Sequence, residues 1–178
     1  MSAGVWSVPV RVEDIPETGR RFELAADAAT RSALARAAGV DRLVRFDAVF
    51  DVVRHGRDGL HVVGTVSATL GQTCVVTLEP VETDLEEGVD LIFVPRRDSS
   101  ADQVGAVGRD GYSATDDPPE WLVDGTVDLG AIATEFLILG VDPYPRKAGA
   151  VFAAPPAGDA GDHPFAALAA LKAGKPEG

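Results

Sequence analysis

Apolar and polar residues alternate along two neighbouring segments, residues 43–53 and 60–70. In both segments the apolar residues occupy even positions, beginning with Val44 and with Leu60, while mainly polar side chains occupy the odd positions. A period of two is typical of a half-buried strand. The pattern therefore predicts two antiparallel strands whose even positions face the core.

The loop between these strands fixes which residues face each other. Even positions can face even positions only if the loop has an odd number of residues. We predict a three-residue loop, Arg57 to Gly59, with Gly59 in the left-handed conformation. This register places His55 opposite His61 on the outward face. The sequence offers these imidazoles no third metal ligand at a suitable spacing, so we interpret them as solvent-exposed.

Further segments also have strand patterns. They are residues 7–12, 21–25, 73–78 and 81–93. In TCVVTL (73–78), Cys74, Val76 and Leu78 share one face. In the last segment the apolar positions are odd, so the inward face changes across Glu79 and Pro80. Because proline cannot donate to a strand ladder, we predict a bulge or kink there.

Two segments predict helices. Asp27 is a suitable N-cap for a helix that ends before Gly39, where a left-handed residue is commonly needed. Asp128 caps a second helix, LGAIATEFLILG, which ends at Gly140 ahead of two prolines. This second helix is apolar almost all round, so we expect it to be buried on more than one side and to pack across the concave face of the sheet.

Together these elements predict an α+β fold. We expect an antiparallel, strongly twisted or barrel-like sheet with the two main helices packed on it. Residues 1–150 form this single domain, and residues 96–119, which are rich in turn formers, form a mobile loop within it. Residues 151–178 form a flexible linker rich in Pro, Gly and Ala, followed by a short helix at 164–173.

The C-terminal segment HPFAALAALK retains apolar residues that free tails usually lack. Pro164 suits the first helical position, and Phe165, Leu168 and Leu171 recur along one narrow face, with Lys172 beside them. A helix of about ten residues is marginal in water, so we expect it to order only when docked. It docks either on its own domain or in a groove of a partner.

Acidic residues outnumber basic ones, and the formal net charge is −12. Residues 58–95 contain seven acids and no Lys or Arg. Such a row is typical of a solvated face or a protected edge strand, and less often of a docking surface for a basic partner. The balance disfavours a broad phosphate-binding surface. The candidates for direct RNA contact are Arg20, Arg21, Arg31, Arg36, Arg42 and Arg45.

The sequence offers little for catalysis, metal binding or membrane insertion. A single cysteine, Cys74, excludes a disulfide framework and a Cys-based zinc site. Glu135, His55, His61 and the 96–119 loop could in principle serve a hydrolase or RNA-modifying enzyme, but no nucleophile, base and orienting group occur together. We therefore expect a non-enzyme without cofactor or metal. Lacking a signal-like N-terminus or a long apolar span, the chain is expected to be cytoplasmic.

Three motifs resemble those of the YceD family, bacterial proteins named for large ribosomal RNA subunit accumulation. CVVTLEP, with Cys74, Leu78 and Pro80, is similar to the family's Cys-x-x-Cys-Leu-x-Pro, with Thr77 in place of the second Cys. TVDL, with Asp128 and Leu129, opens a helix that contains Glu135, as in the family. HPFAALAALK is similar to the family's closing Asn-Pro-Phe-Ala-x-Leu-x-x-Leu-Lys, with His163 in place of Asn.

The resemblance implies a non-enzymatic factor for 23S rRNA accumulation or processing and for large-subunit biogenesis. Its implied partner is a ribosomal precursor or a large-subunit assembly protein, with indirect contact to RNA. Some members of the family carry further Cys residues after the second helix and could hold a metal. This chain has Arg146 to Gly149 there, which puts any zinc-dependent role in doubt. A direct RNA-binding domain remains the main alternative, and an enzyme a lesser one.

Overall fold

The computed structural model describes residues 5–95 and 118–152. The chain divides into two compact units, Met1–Lys147 and Ala148–Gly178. The described part of the second unit is residues 148–152, in which Gly149 has a φ of 77°. All the helices and strands below belong to the first unit.

Seven strands and two α-helices build the first unit within the described residues. The strands are β1 (Pro9–Arg11), β2 (Arg20–Ala25), β3 (Arg42–His55), β4 (Gly59–Thr73), β5 (Pro80–Pro95), β6 (Glu120–Leu122) and β7 (Thr126–Asp128), and the helices are α1 (Ala28–Ala38) and α2 (Leu129–Gly140). A single 3-10 turn, Val12–Asp14, follows β1.

Five strands form one sheet in the order β2-β3-β4-β5-β6, and β1 pairs with β7 in a separate two-stranded sheet. The β2–β3, β3–β4 and β4–β5 pairs are antiparallel, but β6 runs parallel to the end of β5. The protein is thus α+β, as predicted, although the sheet is mixed rather than purely antiparallel. In the described part, β6 pairs only with residues 93–95 of β5.

The core lies on the even face of β3 and β4. Phe46, Phe50, Val62 and Val66 are almost completely buried. They belong to one hydrophobic cluster with residues of both helices, including Leu34 of α1 and Leu129, Ala133 and Leu137 of α2. Burial of these apolar side chains is the main source of stability for such a fold.

The caps predicted for the first helix are confirmed. The Asp27 side chain accepts a hydrogen bond from the backbone N–H of Thr30 at 2.7 Å, and this bond lowers the pKa of the Asp27 carboxyl. Gly39 ends α1 in the left-handed conformation, with a φ of 68°. Both residues supply the partners and backbone geometry that helix ends need.

The β3–β4 loop has three residues, as the alternation required, but the predicted register is wrong by two positions. His55 faces Gly59, while His61 faces Val53 on one side and Ile92 on the other. The left-handed glycine is Gly56, with a φ of 62°, rather than Gly59. The histidines are therefore not opposite each other, and His61 Nε2 instead lies 2.7 Å from Asp90 Oδ1.

Two other strand predictions need correction. The register shifts between Leu43 and Arg45, so Val44 is 46% exposed although it occupies an even position. Residues 74–78 of the predicted strand 73–78 belong instead, with Glu79, to the turn that joins β4 to β5. The inward face does change from even to odd positions, with Leu85 and Val89 buried, but this six-residue turn accounts for the change, because Thr73 faces Pro80 across it.

The second helix begins at its predicted cap but is not buried on all sides. Asp128 Oδ1 accepts hydrogen bonds from the N–H groups of Gly130 and Ala131. Ile138 is 45% exposed and Leu139 73% exposed. No helix among the described residues is long and apolar enough to cross a membrane.

Candidate functional site

The β4–β5 turn holds a buried cysteine. Cys74 is fully buried, and its Sγ accepts three backbone N–H groups. Val76 and Thr77, from the same turn, each donate at 3.4 Å, and Lys147, from the segment after α2, donates at 3.3 Å. The chain therefore surrounds this sulfur with donors from two distant parts of the sequence.

These donors favour the thiolate. The N–H of Lys147, followed by the hydroxyl and N–H of Thr77, lowers the pKa of the Cys74 thiol from its ordinary 9.0 to about 6, against the opposing effect of burial. Hydrogen bonds to the charged form of a group stabilise that form. The balance between thiol and thiolate at Cys74 is thus shifted toward the thiolate.

The same turn is tied to residues 142–147 by further bonds. The N–H of Val75 donates to the carbonyl of Pro145 at 2.9 Å. Lys147 Nζ donates to Glu79 Oε2 at 2.8 Å, which raises the pKa of Lys147 and lowers that of Glu79. Both side chains are about half exposed, so this ion pair contributes little stability by itself. It lies beside the backbone bonds that join the turn to the segment after α2.

The metal that the resemblance implies for some members does not fit these residues. A structural zinc site needs three or four ligands. Here the turn offers one thiolate, with Thr77 at the place of the second Cys. The ammonium group of Lys147, which the charge of Cys74 also stabilises, supplies the positive charge nearby. In residues 5–95 and 118–152 no three His, Cys, Asp or Glu side chains form a group that could hold a metal ion.

The turn, β5 and α2 all lie within the part of the chain that matches a known family. Residues 62–172 match the family model for the large ribosomal RNA subunit accumulation protein YceD. The match covers more than half of the chain. The chain belongs to the YceD family. Searches of curated proteins and of solved structures found no match.

The YceD motif around Cys74 shapes the turn and its exit into β5. Leu78 has a φ of 59°, a conformation that is rare for a branched side chain, and it is 78% exposed. Its N–H donates to the carbonyl of Cys74 at 2.9 Å, and the carbonyl of Glu79 accepts from the N–H of Cys74 at 2.8 Å. Pro80 is the first residue of β5, where no ladder donor is required.

The second YceD motif joins α2 to the N-terminal segment. Besides capping α2, Asp128 accepts hydrogen bonds from Ser7 Oγ at 2.6 Å and from the N–H of Val8 at 2.8 Å. Burial raises the pKa of the Asp128 carboxyl, but these bonds outweigh burial and the pKa is lowered. Leu129 is fully buried. Glu135 is exposed and lines a shallow apolar groove with Val5 and Trp6.

The six candidate RNA-binding arginines lie on β2, α1 and β3 and have different partners. Arg21 pairs with Glu23 and Asp51, Arg42 with Glu82, and Arg45 with Asp47. Arg31 donates to the carbonyl of Ala26, and Arg20 lies over the ring of Phe22 at 5.0 Å. Arg36 lies in the last turn of α1. Three of the six positive charges are thus neutralised by neighbouring carboxylates.

The five C-terminal candidates, Pro164, Phe165, Leu168, Leu171 and Lys172, lie outside the described residues. Sequence reasoning missed Lys147 as the partner of both Cys74 and Glu79 in the turn. The departure from the family pattern at Arg146 to Gly149 was the available signal. This departure identified the segment that contacts Cys74. It did not show that the backbone N–H of Lys147 makes the contact.

Proposed function

We propose that this chain is a non-enzymatic factor in large ribosomal subunit biogenesis that acts by binding a protein or ribonucleoprotein partner. Family membership is the observation that carries this proposal, since the family is described by accumulation of large-subunit ribosomal RNA. The shared function in this chain does not depend on a metal at the Cys74 turn. The turn and residues 142–147 act instead as a rigid part of the scaffold.

Charge supports binding through protein rather than directly to RNA. The net charge is −12, and the side chains of Arg21, Arg42 and Arg45 are paired with acids. Affinity for nucleic acid depends on positive groups that are free to neutralise phosphates. An acidic protein is better suited to the basic proteins that assemble on ribosomal RNA.

The proposal assigns partner binding to the C-terminal segment 164–173, in the second unit. The family match extends to residue 172 and so includes HPFAALAALK. A short amphipathic helix presenting Phe165, Leu168 and Leu171 suits a hydrophobic groove on another protein. The linker before it would let the helix reach such a groove in the cytoplasm while the first unit remains folded.

Affinity purification from native cells tests this function. We expect the full chain to enrich large-subunit rRNA and assembly proteins, and a chain stopped after Ala157 to lose both. A full-length double variant, Phe165→Asp with Leu168→Asp, should behave like the truncation. Ala166→Asp with Ala170→Asp adds the same charge to the opposite face and should retain binding. If the full chain enriches neither large-subunit rRNA nor assembly proteins, the proposed function is contradicted.

A further inference from the structure

One edge of the five-stranded sheet is only partly covered by a neighbouring strand. Strand β5 pairs with β4 along residues 80–93 on one side. On its other side, β6 pairs only with residues 93–95 in the part of the chain that the structure describes. Residues 82–90 therefore form an open stretch of sheet edge, the β5 edge. Such an edge presents a row of backbone N–H and C=O groups to which another strand can bind.

The pairing of β5 with β4 shows which of its backbone groups point outward. The N–H of Cys74 donates to the carbonyl of Glu79 at 2.8 Å, next to the first pair of the ladder. In an antiparallel ladder, hydrogen-bonded pairs alternate with pairs that are not bonded. The even residues of β5 therefore direct their N–H and C=O groups away from β4. Among the described residues, no backbone bond from another element reaches these groups along the β5 edge.

The same even residues give the β5 edge its charge. The acidic ones are exposed and are Glu82, Asp84, Glu86 and Asp90. Residues 58–95 contain no Lys or Arg to balance them. Since like charges on facing strands repel, pairing of this edge with the same edge of a second copy is disfavoured. Opposite charges on facing strands attract, so the edge favours a basic strand.

The middle of the acidic row is available for such a strand. Glu82 pairs with Arg42, and Asp90 Oδ1 lies 2.7 Å from His61 Nε2. Within the described residues, the side chain of Glu86 has neither an ion pair nor a hydrogen bond. Its charge is therefore not satisfied by the chain itself, and it lies among the outward backbone groups of the β5 edge.

We propose that the β5 edge accepts an extended basic segment of a partner protein as an added strand. The outward backbone groups supply the hydrogen bonds, and the acidic row selects a segment with Lys or Arg at every second position. This spacing is required because side chains on one face of a strand repeat with a period of two. The choice of a basic protein as the occupant rests on the proposed function, and this contact is additional to that of segment 164–173.

Two peptides of the same composition test the required spacing. In the first, Lys alternates with Thr, and in the second the lysines occur in adjacent pairs. Nuclear magnetic resonance titration of the isotope-labelled full chain should show shifts of the Glu86 and Gly88 amide signals with the alternating peptide. We expect it to bind about fivefold more tightly, because only it places every lysine on one face. Equal affinity of the two peptides would show general charge attraction and overturn the proposal.

Methylated peptides test whether backbone hydrogen bonds make the contact. Successive N–H groups of a strand point to its two edges in turn. One alternating peptide is N-methylated on its lysines and another on its threonines, so each lacks the donors of a single edge. An added strand uses one edge, so we expect one of these peptides to lose binding and the other to retain it. Unchanged binding of both would overturn the proposal.

Gly88→Pro tests the edge on the protein itself. The N–H of Gly88 points away from β4, so its loss leaves the ladder intact, and proline is tolerated on an edge strand in this orientation. An added Cβ at Gly88 meets no atom within 4 Å, so Gly88→Ala is a matched control that keeps the N–H. Gly88→Pro should weaken the alternating peptide about tenfold and Gly88→Ala should leave its affinity unchanged. Unchanged affinity in both variants would overturn the site.

A second pair of variants tests charge without changing the backbone. Glu86→Gln should weaken the alternating peptide about threefold, as for an exposed charge pair. Glu23→Gln removes the same charge from β2, the strand at the opposite edge of the sheet, and should have no effect. Equal losses in the two variants would overturn the site. Dimerisation of the chain that is abolished by Gly88→Pro would overturn the choice of occupant.

The two proposals fail separately. Peptide binding is measured on the purified chain, whereas the function is read from ribosomal RNA in cells. Enrichment of large-subunit rRNA by the Gly88→Pro variant at the level of the unmodified chain would overturn the use of the β5 edge for this partner and leave the function standing. Peptide binding without ribosomal enrichment would contradict the function alone.

Discussion

The surroundings of Cys74 favour the thiolate, a form that cysteine rarely takes in a buried position. Burial in apolar surroundings usually keeps a thiol neutral. Here the N–H of Lys147 and the groups of Thr77 reverse that preference and bring the pKa to about 6. The thiolate therefore joins the turn after β4 to the segment after α2, and its ionisation is coupled to folding.

The stability of the protein should depend on pH because of this thiol. Between pH 6 and 9 the folded protein carries a thiolate, while the unfolded chain carries a thiol with the ordinary pKa of 9.0. Unfolding then takes up a proton, so raising the pH across this range stabilises the fold. The contribution is complete above pH 9 and is lost as the pH falls through about 6. Urea unfolding midpoints measured across the range should rise with pH.

Two variants separate the contribution of the Cys74 thiol to this pH dependence from the contributions of other titrating groups. Cys74→Ser keeps the size of the side chain but does not ionise, so its unfolding midpoint should lack this rise. Lys147→Met removes the ammonium group but keeps the backbone N–H, so most of the rise should remain. Parallel curves for the unmodified chain and Cys74→Ser would show that the thiol is not the source.

At the scale of elements, Asp128 connects α2 with the N-terminal segment. Most N-cap side chains satisfy the first turn of one helix, as Asp27 does for α1. Asp128 caps α2 and also accepts from Ser7 and Val8, which precede β1. One carboxylate therefore fixes the start of a helix and the position of a strand.

Replacement of these two caps should have unequal effects. Asp128→Ala should lower the free energy of unfolding by about 2 kcal/mol, at the upper end for a helix cap, since it also frees the segment before β1. Asp27→Ala is the matched control and should cost less, because it loses only a bond within one helix. Chemical denaturation of both variants measures the difference, and equal losses would mean that the bonds to Ser7 and Val8 contribute nothing.

Local patterns predicted the elements better than their connections. The alternation along β3 and β4 correctly predicted which residues face the core and that the loop has an odd number of residues. Both depend only on whether a position is even or odd. The alternation could not distinguish the predicted register from the observed one, because the two differ by two positions and so have the same parity. In the observed register the loop residue with positive φ is Gly56. Residues 74–78 alternate like a strand, yet hydrogen bonds to Sγ and the left-handed Leu78 fold them into a turn.

The candidate site was predictable only in part. Family motifs identified Cys74 and Asp128, but each of these residues also has a partner far away in the sequence. Lys147 reaches Cys74 across 73 positions, and the parallel β5–β6 pair also joins distant segments.

At the scale of the whole molecule, the net charge and the pairing of arginines with carboxylates determine what the surface can bind. Acids exceed basic residues by twelve. Arg21 pairs with Asp51 on the adjacent strand, and Arg42 of β3 reaches Glu82 of β5 across Gly71. Long-range repulsion should therefore keep free RNA away from this protein. Ribosomal RNA should come with it only through proteins already bound to that RNA.

The purified chain should accordingly fail to bind isolated large-subunit rRNA at physiological salt. A filter-binding assay with protein-free rRNA should give the same retention as an unrelated acidic protein of similar size. Charge reversal of Arg20 and Arg36 should leave the result unchanged. Tight binding that weakens steeply with added salt would instead indicate direct phosphate contacts and contradict this expectation.

The pairing of β1 with β7 also affects the order in which the chain can fold. Val10 faces Val127, and Ser7 and Val8 bond to Asp128 across more than a hundred positions. Contacts between such distant residues slow folding, because a long loop must close before they form. During synthesis β1 must therefore wait for β7, which leaves the ribosome more than a hundred residues later. The two-stranded sheet thus forms only after the strands β2 to β6, which lie between β1 and β7 in the sequence, have been made.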